Sequence, residues 1–165
     1  MFEHLPEYID PLALVDRRRQ LKGRISIGKM PRLAEVLQST EGQAEIELNF
    51  AKEGRHAVVT GRVSAGLLLQ CQCCLEKLSW PVNSEIRLGI VHSIDEANQL
   101  PDSLEPLVLQ EETIALAEII QEELLLAIPP IPQHAQCVSL LSPGKREVSE
   151  PERKNPFAVL SNLKH

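Results

Sequence analysis

Cys71-Gln72-Cys73-Cys74 is the densest grouping of soft metal ligands in the chain. Cys71 and Cys74 have the C-x-x-C spacing of a knuckle, in which two thiolates at a hairpin tip take adjacent corners of a zinc tetrahedron. One such pair fills half a structural site. His134 and Cys137, spaced H-x-x-C beyond a proline run, are the other soft ligands in reach. Cys71, Cys74, His134 and Cys137 together form a Cys₃His set, a known zinc chemistry. Coordination requires their sulfur and nitrogen atoms to converge to within about 4 Å. Some sixty residues separate the two halves, so spacing leaves open whether they meet or are four small residues without a metal.

Redox chemistry fits the same residues less well. A thioredoxin-like pair needs its first Cys at a helix N-terminus, and here that Cys ends a strand. The vicinal Cys73-Cys74 is too strained for an ordinary disulfide. Hydrolysis and group transfer find no support. The chain has no Gly-rich phosphate loop, G-x-S-x-G or H-E-x-x-H, and we expect no catalytic residues and no enzyme. His4, His56, His92 and His165 are scattered, and the pairs Glu111-Glu112 and Glu122-Glu123 read as solvated faces.

Charge is strongly segregated. Between Pro11 and Arg32 stand seven basic residues and one acid; between Glu85 and Glu123 stand ten acids and one base, within a net charge of −6. The run Arg17, Arg18, Arg19, Lys22 and Arg24 is the candidate RNA or partner contact, since arginine grips phosphate with a bidentate fork. Its alternative is pairing with acids of the same chain. Only five residues are aromatic, too few for a platform that stacks single-stranded bases. The acidic segment is complementary to a cationic protein.

The elements that position these groups follow from periodicity. Residues 1–40 read as an extended start and short helical pieces, with Leu12, Val15 and Arg19 on one side of a helix that begins at Asp10-Pro11. Leu33, Val36 and Leu37 form a second amphipathic turn. From Ala44 the period becomes two: Ala44, Ile46, Leu48 and Phe50 alternate with polar residues. A second strand spans 56–70 and a third runs from Trp80 through Ile90, giving an antiparallel meander. Gly61 and Gly66 point to a bulge and a curled sheet. An edge strand is expected near 105–110. Thr113 N-caps a helix to about 127, with Leu116, Ile119, Ile120, Leu124 and Ala127 inward and Glu118, Gln121 and Glu122 outward. Pro129, Pro130 and Pro132 end it.

The fold class is therefore α+β: a twisted antiparallel sheet or partly open barrel with a packed helix, an N-terminal helical segment and a flexible C-terminal tail. Residues 1–138 form one domain, 139–154 a flexible linker, and 155–165 an apolar motif. That motif contains Asn155, Pro156, Phe157, Ala158, Val159 and Leu160. With no signal-peptide pattern and no apolar run of about 20 residues, the expected location is the cytoplasm, away from membranes.

Taken in order, these features resemble the YceD family, the large ribosomal RNA subunit accumulation proteins. The resemblance is carried by the Asp10-Pro11 helix start with its arginines, Leu69-Gln70-Cys71-Gln72-Cys73-Cys74, Leu104-Glu105-Pro106, Leu126-Ala127-Ile128-Pro129, Pro132-Gln133-His134, and Lys154-Asn155-Pro156-Phe157-Ala158-Val159-Leu160. It implies a non-catalytic factor for synthesis, processing or stability of 23S ribosomal RNA. The implied partners are the large-subunit RNA precursor or ribosomal proteins. It carries no catalytic residues, and Cys73 replaces a residue that is basic or polar in other members. Zinc remains the one candidate cofactor. Two other classes stay in view: a metal-dependent RNA-processing enzyme, and a zinc- or redox-responsive regulator.

Overall fold

The alternating apolar pattern builds a five-stranded sheet. The computed structural model describes residues 5–137, so the linker and the C-terminal motif lie outside the described residues. Strand β1 (Tyr8–Ile9) leads into α1 (Pro11–Asp16), whose N-cap Asp10 accepts from the Ala13 amide at 2.9 Å. Then come β2 (Gln20–Ser26), α2 (Pro31–Ala34), β3 (Gln43–Glu53), β4 (His56–Gln70) and β5 (Lys77–Val91). A short α3 (Ile94–Ala97), β6 (Glu105–Val108), β7 (Ile114–Ala115) and α4 (Leu116–Leu126) complete the order.

The sheet runs β2-β3-β4-β5-β6, and β1 pairs with β7 in a separate two-stranded sheet. The meander β2 to β5 is antiparallel, as the short β3–β4 and β4–β5 turns require of those pairs, whereas β6 lies parallel to β5. The sheet is mixed and does not close, because β2 and β6 remain its two edges. Ile46, Val63 and Val82 represent the inner face of three strands, covered by Val15, Met30, Leu33 and the α4 residues Leu116, Ile119, Ile120 and Leu124.

Several expectations are corrected. Residues 20–26 are a strand, not part of a helical segment: Leu21, Gly23 and Ile25 sit opposite Leu48, Ile46 and Ala44, and the basic residues between them face solvent. Arg17, Arg18 and Arg19 are consequently not on a helix, and Arg18 makes the turn with φ 47. The glycines introduce no bulge, since β4 keeps one register with β5 from Ala57↔Ile90 to Gln70↔Lys77. Gly61 is needed for approach instead: a Cβ there would lie 1.9 Å from the Glu47 carbonyl oxygen. Finally, α4 starts at Leu116 rather than behind a Thr113 cap, because Ile114 and Ala115 pair with β1.

Gln121 is also not outward. It is buried, and its Oε1 accepts from the Arg32 amide at 2.9 Å and the Leu33 amide at 3.4 Å. Those amides open α2 and have no helical partner, so one buried side chain satisfies both and joins α2 to α4.

Candidate metal centre

The turn between β4 and β5 is built to aim sulfurs inward. The Cys71 amide donates to the Glu76 carbonyl and the Leu75 amide to the Cys71 carbonyl, each at 2.9 Å. Leu75 takes the left-handed conformation at φ 63, which costs a branched residue about 1 kcal/mol or more. That conformation closes the turn and leaves the Leu75 side chain in solvent. Cys71 itself is fully buried.

A second segment brings the other ligands. Trp80 Nε1 donates to the Ala127 carbonyl at 3.2 Å, which fixes the C-terminus of α4 against β5. The proline run follows, with the chain bending at Ile128, Pro130 and Ile131. The Gln72 amide then donates to the Pro132 carbonyl at 2.8 Å and pins this segment across the knuckle. These contacts place His134 and Cys137 on the same side of the sheet end as Cys71 and Cys74.

One ligand atom from each of Cys71, Cys74, His134 and Cys137 lies within 4.8 Å of all the others. The Cys71 and Cys137 sulfurs are 3.7 Å apart, and Cys74 Sγ lies 3.4 Å from His134 Nδ1. A zinc tetrahedron with ordinary Zn–S and Zn–N bonds has edges of about 3.8 Å and about 3.5 Å for these pairs. The donor set and spacing fit zinc, with the widest pair needing about 1 Å of contraction. His134 Nε2 lies 3.2 Å from the Lys77 carbonyl oxygen. As a donor to that oxygen it leaves Nδ1 unprotonated and directed at Cys74, the outer-shell arrangement of metal-binding histidines.

The electrostatics favour a cation. Burial pushes the Cys71 thiol up, but amides of Cys74, His134 and Cys73 and the Cys74 side chain donate to it, so it falls from 9.0 to about 6. Cys137 is pushed the other way by its hydrogen bond with Cys73, by burial, and by Cys74 and Cys71. These hydrogen bonds favour the thiolate at Cys71 and disfavour one at Cys137, where a bound cation would compensate the second negative charge.

Four protein donors would close a tetrahedron and leave no coordination position for substrate water, the mark of a structural site. Among the described residues no other group of His, Cys, Asp or Glu converges in this way. His56 and His92 stand apart from the cluster; Cys73 contacts Cys137 beside it. The Lys77 and Pro132 carbonyls could not be anticipated, because a backbone partner has no residue signature.

The basic run divides in two. Lys22 pairs with Glu47 at 3.2 Å and Arg24 with Glu45 at 2.6 Å, both across the β2–β3 ladder. Arg17, Arg18 and Arg19 are exposed, and no ion pair among the described residues engages them. Elsewhere Lys52 pairs with Asp16, Arg87 with Glu53, and Arg32 with Glu122. No helix among the described residues is long and apolar enough to cross a membrane.

The chain is similar to known proteins along nearly its whole length. The family model described as large ribosomal RNA subunit accumulation protein YceD matches residues 59–164. A Haemophilus influenzae protein named large ribosomal RNA subunit accumulation protein YceD is 32% identical over 167 aligned positions, spanning 97% of this chain and 96% of that protein. No solved structure matches.

Proposed function

The chain belongs to the YceD family, and on that premise we propose that it is a non-catalytic factor required for 23S ribosomal RNA to accumulate. The observation that carries this reading is the near full-length match to a relative named for that role. A match from end to end supports the transfer of a whole protein's role better than a shared motif does.

The site supports the same reading. Cys71, Cys74, His134 and Cys137 would hold zinc as a structural staple between the β4–β5 turn and the segment after α4. Such a staple organises a surface and does no hydrolysis, which favours a binding factor over a metal-dependent RNA-processing enzyme. The partners would be large-subunit precursor RNA, met locally by Arg17, Arg18 and Arg19, or cationic ribosomal proteins, met by the acidic half of the chain. The C-terminal residues Asn155 to Leu160 are a further candidate contact outside the described residues.

The test is a pull-down of the native-level chain from its own cells, with co-purifying RNA and protein identified. Enrichment of 23S precursors or large-subunit proteins over small-subunit ones is expected. Recovery of neither would contradict the proposal.

A further inference from the structure

Between β6 and α4 runs an open groove of ≈ 570 Å³. Its floor is apolar, formed by Leu88, Leu107, Val108, Ile114 and Ile119, with Leu126 at one end. Two of these side chains stand well out of the core, Val108 at 40% and Leu126 at 74% exposure. The rim is acidic: Glu105, Glu118, Glu122 and Glu123. Arg32 engages Glu122, but no ion pair among the described residues reaches Glu105, Glu118 or Glu123.

This combination selects its occupant. Burial of the floor favours apolar side chains. An acidic rim beside a low-dielectric floor attracts cations and repels phosphate, so nucleic acid and anionic lipid are disfavoured there. Partial burial, and then the repulsion from neighbouring Glu105, already hold the Glu123 carboxyl above its usual range, and an added cation would offset both. Strand β6 is a sheet edge, and Pro106 removes one of its amides. Side chains must therefore supply much of the recognition, with only a partial backbone ladder beside them.

We propose that this groove docks a basic amphipathic segment of a cationic protein, apolar side chains on the Leu107–Ile119 floor and Lys or Arg over Glu105, Glu118 and Glu123. The proposal deepens the reading of the chain as a large-subunit factor, and rests on it for the partner's class. Ribosomal proteins are cationic and supply such segments.

The probe is an array of overlapping peptides of about 15 residues tiling the large-subunit ribosomal proteins of the same organism, incubated with the full chain. The best binder is then titrated by fluorescence anisotropy. Binders are expected to carry both apolar and basic residues. Leu126→Arg, and separately Glu118→Lys with Glu123→Lys, should each weaken binding at least about tenfold. Leu126 and Glu118 are exposed, so circular dichroism should stay unchanged in Leu126→Arg and in Glu118→Lys alone; Glu123 is half-buried, and the double variant counts only where its spectrum matches the parent. Arg17→Glu should leave binding intact. Equal capture of purely basic peptides, no peptide capture, or competition by an RNA oligonucleotide for the groove would overturn the proposal. So would peptide binding that emerges only after removal of residues 139–165, which would make the chain's own tail the occupant. Loss of peptide binding in Leu126→Arg cells that still accumulate 23S RNA normally would remove the groove from the role and leave the family role standing.

Discussion

His134 Nε2 lies 3.2 Å from the Lys77 carbonyl oxygen, so a backbone group of β5 orients the imidazole whose other nitrogen meets Cys74. Geometry of this kind is set before a metal arrives. The protein purified without a His-tag should carry about one zinc per chain by elemental analysis. Cys74→Ser and His134→Ala should each lower that stoichiometry and the thermal midpoint. His134→Cys should retain metal, because a Cys₄ set is itself a zinc site. Chelation should lower the midpoint of the parent and leave His134→Ala unmoved. Zinc-free parent protein, stable without metal, would remove the staple.

Gly61 faces the Glu47 carbonyl too closely for a side chain. Gly61→Ala must push β3 and β4 apart in the middle of the sheet. The expected cost is about 3 kcal/mol or more, read as a lower urea midpoint with an unchanged slope. Gly66→Ala, where a Cβ meets nothing within 4 Å, is the control and should cost little. Equal effects at both positions would contradict the close-approach account.

Glu123 gives the pH dependence. Burial and Glu105 raise its carboxyl above the ordinary value, so the folded chain binds that proton more tightly than the unfolded chain. The associated stability is fully present below the unfolded carboxyl's range, near 4.5, and is lost as pH rises through the folded value. Glu123→Gln should therefore raise the urea midpoint near neutral pH, with the advantage disappearing under strongly acidic conditions. A neutral-pH decrease would show that the ionised carboxylate has a partner.

The exposed arginines separate the two electrostatic surfaces. If Arg17, Arg18 and Arg19 grip RNA, replacing all three with Glu should flatten the logarithmic salt dependence by about 0.7–0.9 for each phosphate no longer held. Lys22→Gln and Arg24→Gln should change that slope less, since Glu47 and Glu45 already occupy those cations. An unchanged slope in the triple variant would assign binding to other surfaces.

Strands β3, β4 and β5 were legible because each alternates apolar and polar residues over a long run, and that pattern also placed Cys71 at a hairpin tip. Strand β2 was not: a glycine and interleaved basic residues leave only Leu21 and Ile25 to mark its inner face. The parallel pairing of β6 was hidden because a four-residue run states no direction. Thr113 misled as a cap because β1 captures the next two residues, a tertiary effect invisible locally. Gln121 read as solvent-facing, yet burial of its amide depends on α2 amides 88 and 89 residues away. The ligand types of the candidate metal centre could be read from sequence. Their meeting could not, since it rests on the Trp80–Ala127 and Gln72–Pro132 hydrogen bonds, both to backbone carbonyls.

The proposed role in ribosomal RNA accumulation is tested most directly by the ratio of 23S to 16S RNA in cells depleted of this chain. The account predicts that the ratio falls on depletion, that the full chain restores it, and that His134→Ala restores it less well than His134→Cys. A ratio that stays at its normal value throughout depletion would contradict the account.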